Sequence, residues 1–190
     1  MQKNENPIVL CAVLLVISVI VAALLGFTNS ITVNKIAENV EKEQLVAKQE
    51  VLSDASEFKD VNYSNGLVKA VYEAFDNNEN SVGWCVNVKP YGYGGEIDII
   101  VGITSEYKLS GVKVVSNSET AGLGAKCSTD ASFTEQFKNK EMPLGVIKNG
   151  TAEDNEIVAI TGATITSKAV TNGVNAAFDA VKEIGGGSNE

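Results

Sequence analysis

A long run of aliphatic residues lies near the start of the chain. No charged residue occurs between Glu5 and Lys35, and residues 8–27 are almost wholly aliphatic. About twenty helical residues rise roughly 30 Å, which matches the hydrocarbon thickness of a bilayer. A secretory signal has a shorter apolar stretch and a small-residue cleavage site, which this run lacks. The pattern therefore predicts an uncleaved transmembrane anchor over residues 1–29.

The charges that flank this run indicate its orientation. Lys3 and the amino group are positive, although Glu5 offsets them, and Lys35 and Lys42 lie beyond the far end. Cytoplasmic ends of membrane segments favour positive charge. We therefore predict a short cytoplasmic N-terminus, a single pass through the cell membrane, and the remaining domain on the outer face.

Helical spacing of apolar residues continues beyond the membrane run, with charged residues on the other faces. The apolar stripe consists of Ile36, Val40, Leu45 and Val51. Residues 30–65 are predicted to form a juxtamembrane helix that ends near residue 52, followed by a polar, irregular linker over residues 57–65.

Residues 66–184 predict one compact domain, and residues 185–190 a flexible tail. Short runs rich in β-branched residues are typical of strands, and short polar links between them imply antiparallel neighbours. The predicted strands cover residues 67–75 (as a strand or a short helix), 82–88, 96–103, 109–115, 144–147 and 157–160. Helical spacing predicts helices over residues 131–140 and 167–184. The fold class is therefore α+β: a mostly antiparallel sheet with helices packed on it.

Composition excludes several classes of function. The net charge of −9 argues against nucleic acid as a partner. No histidine occurs, which excludes Ser-His-Asp and Cys-His catalysis and imidazole ligation of metal or haem. All 15 basic residues are lysine. The chain therefore has no arginine that could bind a phosphate through two parallel hydrogen bonds. A phosphorylated ligand must be held by backbone N–H groups, hydroxyls, lysine or a covalent bond.

Three cysteines divide between the two parts of the chain. Cys11 lies in the apolar run, whereas Cys85 and Cys127 follow it. The latter two form one disulfide if they face an oxidising compartment, or remain buried free thiols, and the sequence leaves both alternatives open. No Cys-x-x-Cys spacing supports an iron–sulfur or zinc site, so no metal site is predicted.

Three segments carry residues suited to ligand binding, and each also has an ordinary structural interpretation. The glycine-rich segment 91–96 suits a ligand loop or a hairpin turn. Residues 119–124 pair Glu and Thr with Gly-Leu-Gly, where a flat ligand can lie against bare backbone, or they form an ordinary loop. Residues 161–167 join a strand to a helix, with Thr164 at the junction.

The junction at Thr164 suits an anion. The first N–H groups of a helix have no partner inside it, and the helix dipole favours negative charge there. A threonine hydroxyl in this place can contact a phosphate or be esterified to one. The alternative is a simple N-cap, a position where Ser and Thr are preferred in any protein.

Taken together, the order and wording of the three segments resemble a known family. The motifs GYGGEIDIIVGI, SETAGLGAK and TGATITSKAVTNGV lie within residues 92–177. They are similar to the FMN-binding domain of the G subunit of the Rnf electron-transport complex, a domain shared by the C subunit of the sodium-pumping NADH:quinone oxidoreductase. The N-terminal anchor also fits, and the compact length fits the Rnf protein better.

The resemblance implies a covalent flavin. In this family a dedicated flavin transferase joins FMN through its phosphate to the last threonine of a (Ser/Thr)-Gly-Ala-Thr motif, which is Thr164 here. The resemblance assigns no catalytic residue and no metal ligand, and it implies that Lys168 neutralises the phosphodiester or is merely a surface lysine. Further contacts with the cofactor are expected from Thr161, Gly162, Ala163, Thr166, Lys168, Glu119, Thr120, Gly122, Leu123 and Gly124.

Two positions depart from the family pattern. The aspartate usually found three residues before the Ser/Thr of the motif is Val158 here, and Glu156 and Asp154 lie further upstream. If that aspartate helps the transferase to recognise its target, modification is slower here or relies on those neighbours. The usual proline of the second motif is Ala121, which loosens the loop but keeps its glycines.

The resemblance implies a membrane-anchored electron carrier rather than a self-sufficient enzyme. Its partners would be the other membrane and redox subunits of an Rnf-type complex, which couples electron transfer between ferredoxin and NAD to ion transport. The alternatives are the equivalent subunit of a sodium-pumping quinone reductase and a stand-alone extracellular flavoprotein. A further alternative, from a different class, is a membrane-anchored binding module without a cofactor.

Overall fold

The chain begins with one long helix. The computed structural model describes residues 7–140 and 142–186. Helix α1 (Pro7–Val51) has 45 residues and contains the whole aliphatic run. It is long and apolar enough to cross a membrane, and so it fits a single-pass anchor. The first compact unit ends at Lys42, and the second begins at Glu43 and includes the last turns of α1.

Five consecutive strands form one antiparallel sheet in the order β1-β2-β3-β4-β5. They are β1 (Glu57–Asp60), β2 (Val68–Phe75), β3 (Ser81–Val88), β4 (Ile97–Thr104) and β5 (Leu109–Asn117). Short links join the strands, so neighbours in the sequence are also neighbours in the sheet. This confirms the predicted antiparallel arrangement.

Short elements and one long helix follow the sheet. They are α2 (Lys126–Thr129), α3 (Ala131–Glu135), β6 (Gly145–Ile147), β7 (Glu156–Val158) and α4 (Thr164–Gly186). Strands β6 and β7 pair in parallel and form a separate two-stranded sheet. The predicted α+β class is confirmed, although the parallel pair was not expected from the sequence.

Both faces of the five-stranded sheet are buried. Successive side chains of a strand point to opposite faces, so neighbouring residues such as Ile99 and Ile100 enter different cores. On one face the apolar side of α4 covers the strands, with Val170, Val174, Ala177, Phe178 and Val181 in the core. On the other face the end of α1 covers them, with Ala47, Val51 and Leu52 packed among Ala74, Cys85 and Ile100.

Polar contacts also fix the end of α1 to this second face. Ser110 Oγ donates a hydrogen bond to the Val51 carbonyl at 2.6 Å. The Lys48 ammonium lies 3.1 Å from the centre of the Tyr72 ring. Lys48 is buried, and its desolvation lowers the pKa of the ammonium. The compact unit therefore starts earlier than the predicted boundary at residue 66.

The linker predicted over residues 57–65 is partly ordered. Residues Glu57–Asp60 form β1, which pairs with β2 from Glu57 opposite Phe75. Most of its side chains are exposed, as is common for an edge strand. The polar composition that suggested an irregular segment is thus the composition of a sheet edge.

Helix α3 is shorter than predicted. It ends at Glu135, whereas helical spacing predicted a helix over residues 131–140. The N–H groups of Phe137 and Lys138 bond three residues back instead of four, and Asn139 has a positive φ of 58°. The spacing that suggested a longer helix reflects packing, because Phe133 and Phe137 meet edge to face at 5.5 Å.

Helix α4 is longer than predicted at both ends. It begins at Thr164, three residues before the predicted start, and it includes residues 185 and 186 of the predicted tail. Residues 187–190 of that tail lie outside the described residues, as do residues 1–6 of the anchor. Strand β7 ends at Val158, so residues 159 and 160 of the predicted strand connect β7 to α4.

The two cysteines of the second unit are free thiols. Cys127 lies in the core beneath α4, and Cys85 lies in the core beneath the end of α1. Of the two alternatives that the sequence left open, the structure has two buried thiols. Desolvation raises the pKa of Cys85 to about 12 and that of Cys127 to about 11.

Two truncations test the packing of α1 on the sheet. Removal of residues 1–28 should leave a soluble, folded domain that still accepts flavin, because the compact unit begins only at Glu43. Removal of residues 1–55 uncovers the face around Ile100 and should unfold it, since loss of even one large core side chain costs about 2–5 kcal/mol. Circular dichroism melts measure both. Equal melting of the two shortened chains would contradict this packing.

Thiol labelling tests the state of the cysteines. In a Cys11→Ala chain at pH 8, Cys85 and Cys127 should react with Ellman's reagent about a hundredfold more slowly when native than when unfolded. The reason is that the thiolate is the reactive form and its population is suppressed by burial. Absorbance at the reagent's product band follows the reaction. An unreduced, unfolded chain without reactive thiols would instead reveal a disulfide.

Candidate functional site

One cavity of about 540 Å³ opens where three chain segments meet. These are the turn between β3 and β4, the loop after β5, and the first turn of α4. Small-molecule sites commonly have volumes of about 300–1,000 Å³. The residues that line the cavity are Tyr93, Glu119, Thr120, Leu123, Gly124, Gly162, Ala163, Thr164, Ile165 and Thr166.

The Glu119 carboxylate connects the three segments. Its Oε1 accepts a hydrogen bond from the Gly94 N–H at 2.8 Å, and its Oε2 accepts one from Thr166 Oγ1 at 2.5 Å. The backbone of Glu119 is held in turn by Asn117, whose Oδ1 accepts from the Glu119 N–H at 3.1 Å. Charge-assisted hydrogen bonds of this kind are short and strong. One side chain therefore holds together segments that are 25 and 47 residues away along the chain.

The first turn of α4 presents unused donors and one unused hydroxyl to the cavity. The first helical bond runs from the Ser167 N–H to the Ala163 carbonyl at 3.0 Å, so the N–H groups before it have no partner in the helix. Thr164 is half-buried and lines the cavity. Its hydroxyl makes no hydrogen bond to any residue within 7–140 or 142–186. Thr166 is 1% exposed, and its hydroxyl is bound to Glu119.

Ser167 fixes the strand-to-helix junction from the buried side. Its hydroxyl donates to the Ala163 carbonyl at 3.0 Å and accepts from the Ile160 N–H at 3.0 Å. The side chain is completely buried. The junction is therefore held by internal hydrogen bonds, and the hydroxyl of Thr164 is left for the cavity.

Glycines allow the carboxylate and the loops to approach each other. A Cβ at Gly92 or Gly124 would overlap an oxygen of Glu119, and one at Gly94 would overlap the Ser118 carbonyl. These positions require glycine because neighbouring atoms leave no room for a Cβ, and not because of an unusual backbone φ. Gly162 has a φ of +78°, in the region that favours glycine, and it forms the bend that leads into α4.

The cavity has one charged side chain and an apolar rim. Glu119 is the only charged residue in the lining formed by the described part of the chain. Tyr93, Leu123 and Ile165 remain 73%, 46% and 56% exposed, so a cluster of apolar side chains lies at the opening. The cavity thus combines helix N–H donors with apolar surface, which suits a ligand that carries both an anion and a flat ring.

The structure brings most of the predicted site residues together. Eight of them line the cavity: Glu119, Thr120, Leu123, Gly124, Gly162, Ala163, Thr164 and Thr166. Thr161, Gly122 and Lys168 lie outside the lining that the described residues form, and Lys168 is an exposed residue of α4. Gly122 shapes the loop, with a φ of +76°.

Two lining residues were not among the predicted ones. Tyr93 belongs to the glycine-rich segment, and Ile165 follows Thr164 in the third motif. Both are large side chains outside the predicted core, Tyr93 in a turn and Ile165 at the start of α4. That signal was present in the sequence, but nothing in the spacing indicated which way either side chain points.

Comparison with known proteins places the chain in a family. Residues 92–179 match the family described as FMN-binding domain. The chain is 39% identical over 180 residues to the G subunit of the Na⁺-translocating ferredoxin:NAD⁺ oxidoreductase complex of Acetobacterium woodii, with 86% of each chain covered. The chain belongs to the family of Rnf G subunits.

Other members and a solved structure extend the comparison. The G subunit of an ion-translocating oxidoreductase complex from Methanosarcina acetivorans is 33% identical over 190 residues, which covers 95% of this chain and 97% of that one. The crystal structure of the C subunit of the Na⁺-translocating NADH-quinone reductase from Parabacteroides distasonis has a TM-score of 0.58 at 19% identity. That match covers 77% of this chain and 92% of the other, and it supports the fold alone.

The region that matches the FMN-binding domain includes all three segments of the cavity. Its bounds enclose the 91–96 turn almost entirely, the 119–124 loop and the start of α4. The match therefore supports FMN as the ligand of this cavity. The donor set agrees with it, because free helix N–H groups suit the phosphate and the apolar rim suits the ring system.

Substitution of Gly124 tests the close contact with Glu119. Gly124→Ala places a methyl group 2.7 Å from Thr166 Oγ1 and against the Glu119 carboxylate, so it should destabilise the domain by about 1–3 kcal/mol. Urea unfolding measures the change. Gly145→Ala is the control, because its methyl group meets no atom closer than 3.9 Å and should change stability by less than about 0.5 kcal/mol. Equal unfolding midpoints for both variants would contradict the geometry.

Proposed function

We propose that this chain is a membrane-anchored electron carrier that holds FMN covalently on Thr164, as one subunit of an Rnf-type complex that couples ferredoxin:NAD electron transfer to ion translocation. FMN supplies the redox chemistry when bound. The residues of this chain attach it, orient it and shield it from water. The domain would lie on the outer face of the cell membrane, with α1 as the anchor.

The observation that carries the attachment is the state of the cavity's hydroxyls. Thr164 is the one threonine in the lining that is both half-buried and at the first turn of α4 without a hydrogen bond to the described residues. The hydroxyl of Thr166 is buried and already bonded to Glu119. Thr120 also lines the cavity, but it belongs to the loop after β5 and not to α4. The hydroxyl of Thr164 is therefore the best placed to form a phosphoester.

The phosphate is held by backbone rather than by a basic side chain. The N–H groups before Ser167 have no partner in the helix, and they and the helix dipole would favour the charge of a phosphate carried on Thr164. No lysine of the described chain lines the cavity, and Lys168 is exposed. If Lys168 helps to neutralise the phosphodiester, it does so only as a solvent-exposed charge outside the cavity lining.

The apolar rim gives the ring a surface. Tyr93, Leu123 and Ile165 stand around the opening, and Gly162 presents backbone without a side chain beside them. Aromatic and aliphatic side chains bury ring surface and reduce contact with water. These side chains would set the polarity around the ring, which is one of the means by which a protein adjusts a flavin's potential.

The partners follow from the family. The relatives from Acetobacterium woodii and Methanosarcina acetivorans are G subunits of ferredoxin:NAD⁺ and ion-translocating oxidoreductase complexes, and their matches cover most of this chain. This favours an Rnf-type complex over a quinone reductase or a stand-alone flavoprotein. A flavin transferase would attach the cofactor by transferring an FMN phosphoryl group from a flavin dinucleotide. The bond between Thr164 Oγ1 and phosphorus would form as the pyrophosphate P–O bond breaks, the hydroxyl proton would be lost, and the nucleoside monophosphate would leave.

The unusual Val158 lies where the chain is already well held. Both its N–H and its carbonyl bond to the side-chain amide of Gln136, at 2.8 Å and 3.3 Å. The strand that leads to the motif is thus fixed without an aspartate at this position. We infer that recognition by the transferase relies on the folded junction and the 161–164 motif.

Substitution of Thr164 tests the attachment. When the full chain is produced together with an active flavin transferase, the wild type should show flavin fluorescence on a denaturing gel and an intact mass raised by FMN less one water. Thr164→Ala should lose both, because no oxygen remains to carry the phosphate, whereas Thr164→Ser should retain them.

Thr151→Ala is the matched control for this experiment. It removes an exposed threonine hydroxyl outside both the 161–164 motif and the cavity lining, so modification should persist. A wild-type band without flavin fluorescence, from protein produced together with an active transferase, would favour the cofactor-free binding module. Persistent fluorescence in Thr164→Ala would place the bond on another residue.

A further inference from the structure

We propose that Glu119 is a positioning residue: it holds the walls of the cavity together by tying the 91–96 turn and the first turn of α4 to its own loop, and it does not itself bind the flavin. This rests on the proposed function in one respect, namely that the cavity takes FMN. It changes the role that family resemblance assigns to Glu119, which is contact with the cofactor.

Both carboxylate oxygens of Glu119 already have protein donors. Oε1 accepts from the Gly94 N–H, and Oε2 accepts from Thr166 Oγ1. The two donors belong to different walls of the cavity, and Glu119 belongs to the third. Asn117 holds the Glu119 backbone and also donates through Nδ2 to Ser128 Oγ at 3.0 Å. Hydrogen bonds therefore hold both the backbone of Glu119 and the two oxygens of its carboxylate.

The surrounding glycines are explained by this carboxylate. A Cβ at Gly92 would overlap Oε1, and one at Gly124 would overlap Oε2. Gly92 lies in the segment predicted to be a ligand loop or a hairpin turn, and Gly124 lies in the segment where a flat ligand was expected against bare backbone. In the structure the atoms that occupy this space are those of Glu119, so the bare backbone serves the contact between loops as well as any ligand.

The geometry predicts which substitutions the site tolerates. In Glu119→Gln the amide oxygen can accept from Gly94, and the amide N–H₂ can donate to Thr166, whose hydroxyl accepts instead of donating. In Glu119→Asp the negative charge remains, but the carboxylate is one methylene shorter, about 1.5 Å, and cannot reach both donors. A positioning role therefore ranks Gln above Asp. A role for the negative charge itself ranks Asp above Gln.

The first experiment uses the cofactor-free full chain in detergent, produced without flavin transferase. Amide hydrogen exchange is followed by mass spectrometry in peptides that cover residues 91–96 and 164–171; in the second peptide the N–H groups from Ser167 onward are hydrogen-bonded. Exchange in both should be about tenfold faster or more in Glu119→Asp, as expected for loss of charge-assisted hydrogen bonds, and close to wild type in Glu119→Gln. Exchange in β2 should be unchanged in both variants.

The second experiment measures the flavinylated fraction of the same variants with the transferase present. Glu119→Asp should be modified several-fold less than wild type, and Glu119→Gln nearly as well as wild type. Glu96→Ala removes an exposed carboxylate at the end of the same turn; it is the control and should behave as wild type. In the modified Gln variant, the slope of the flavin midpoint potential against pH should equal that of the wild type.

Three results would overturn the proposal: Gln as damaging as Asp in either experiment, full flavinylation of Glu119→Asp, or a changed slope of potential against pH in Glu119→Gln. If Glu119→Asp fails to fold, Thr166→Val replaces it and should speed exchange at 164–171 but not at 91–96. Failure of the proposed function gives a different result, namely a wild-type chain that the transferase does not modify. The exchange experiment needs no flavin, so it still decides the role of Glu119 in that case.

Discussion

The five-stranded sheet has two apolar faces, and the need to bury both determines where the cavity forms. The end of α1 covers one face and α4 covers the other. Helix α4 lies close to the sheet at Gly173, where an added Cβ would stand 3.1 Å from both Val88 and Pro90. Val88 ends β3, so this packing brings the N-terminal part of α4 to the end of the sheet at which the turn between β3 and β4 leaves.

Strand register brings the third segment to the same place. Ile97 at the start of β4 is paired with Asn117 at the end of β5. The turn that precedes Ile97 and the loop that follows Asn117 therefore leave the sheet at one end. Apolar packing and register supply the approximate meeting of the three segments. Packing alone does not determine the exact positions of the three segments. The hydrogen bonds of Glu119 then fix these positions relative to one another.

Local periodicity predicted the parts of this fold that local forces determine. The apolar strands β2 to β5 and the amphipathic α4 were predictable because burial repeats every two or every 3.6 residues. The start of the compact unit at Glu43 was not predictable, because the helical spacing of Ala47 and Val51 is the same whether they pack on a sheet or face water. Likewise, sequence placed Glu119 beside a ligand, but no local pattern links it to Gly94 or Thr166 far along the chain. Hydrogen bonds between distant segments are set by tertiary structure, which spacing does not encode.

The charges of the cavity agree with a covalent rather than a dissociating cofactor. A helix N-terminus stabilises an anion by at most about 2 kcal/mol, or roughly thirtyfold in affinity. The lining of the described chain adds no cation to this, and Glu119 places a carboxylate nearby whose charge is directed to its own donors. Such a site holds a phosphate weakly by non-covalent forces. The ester to Thr164 that we propose would remove dissociation altogether, so the same site would need only to orient the phosphate, without the arginine that the chain lacks.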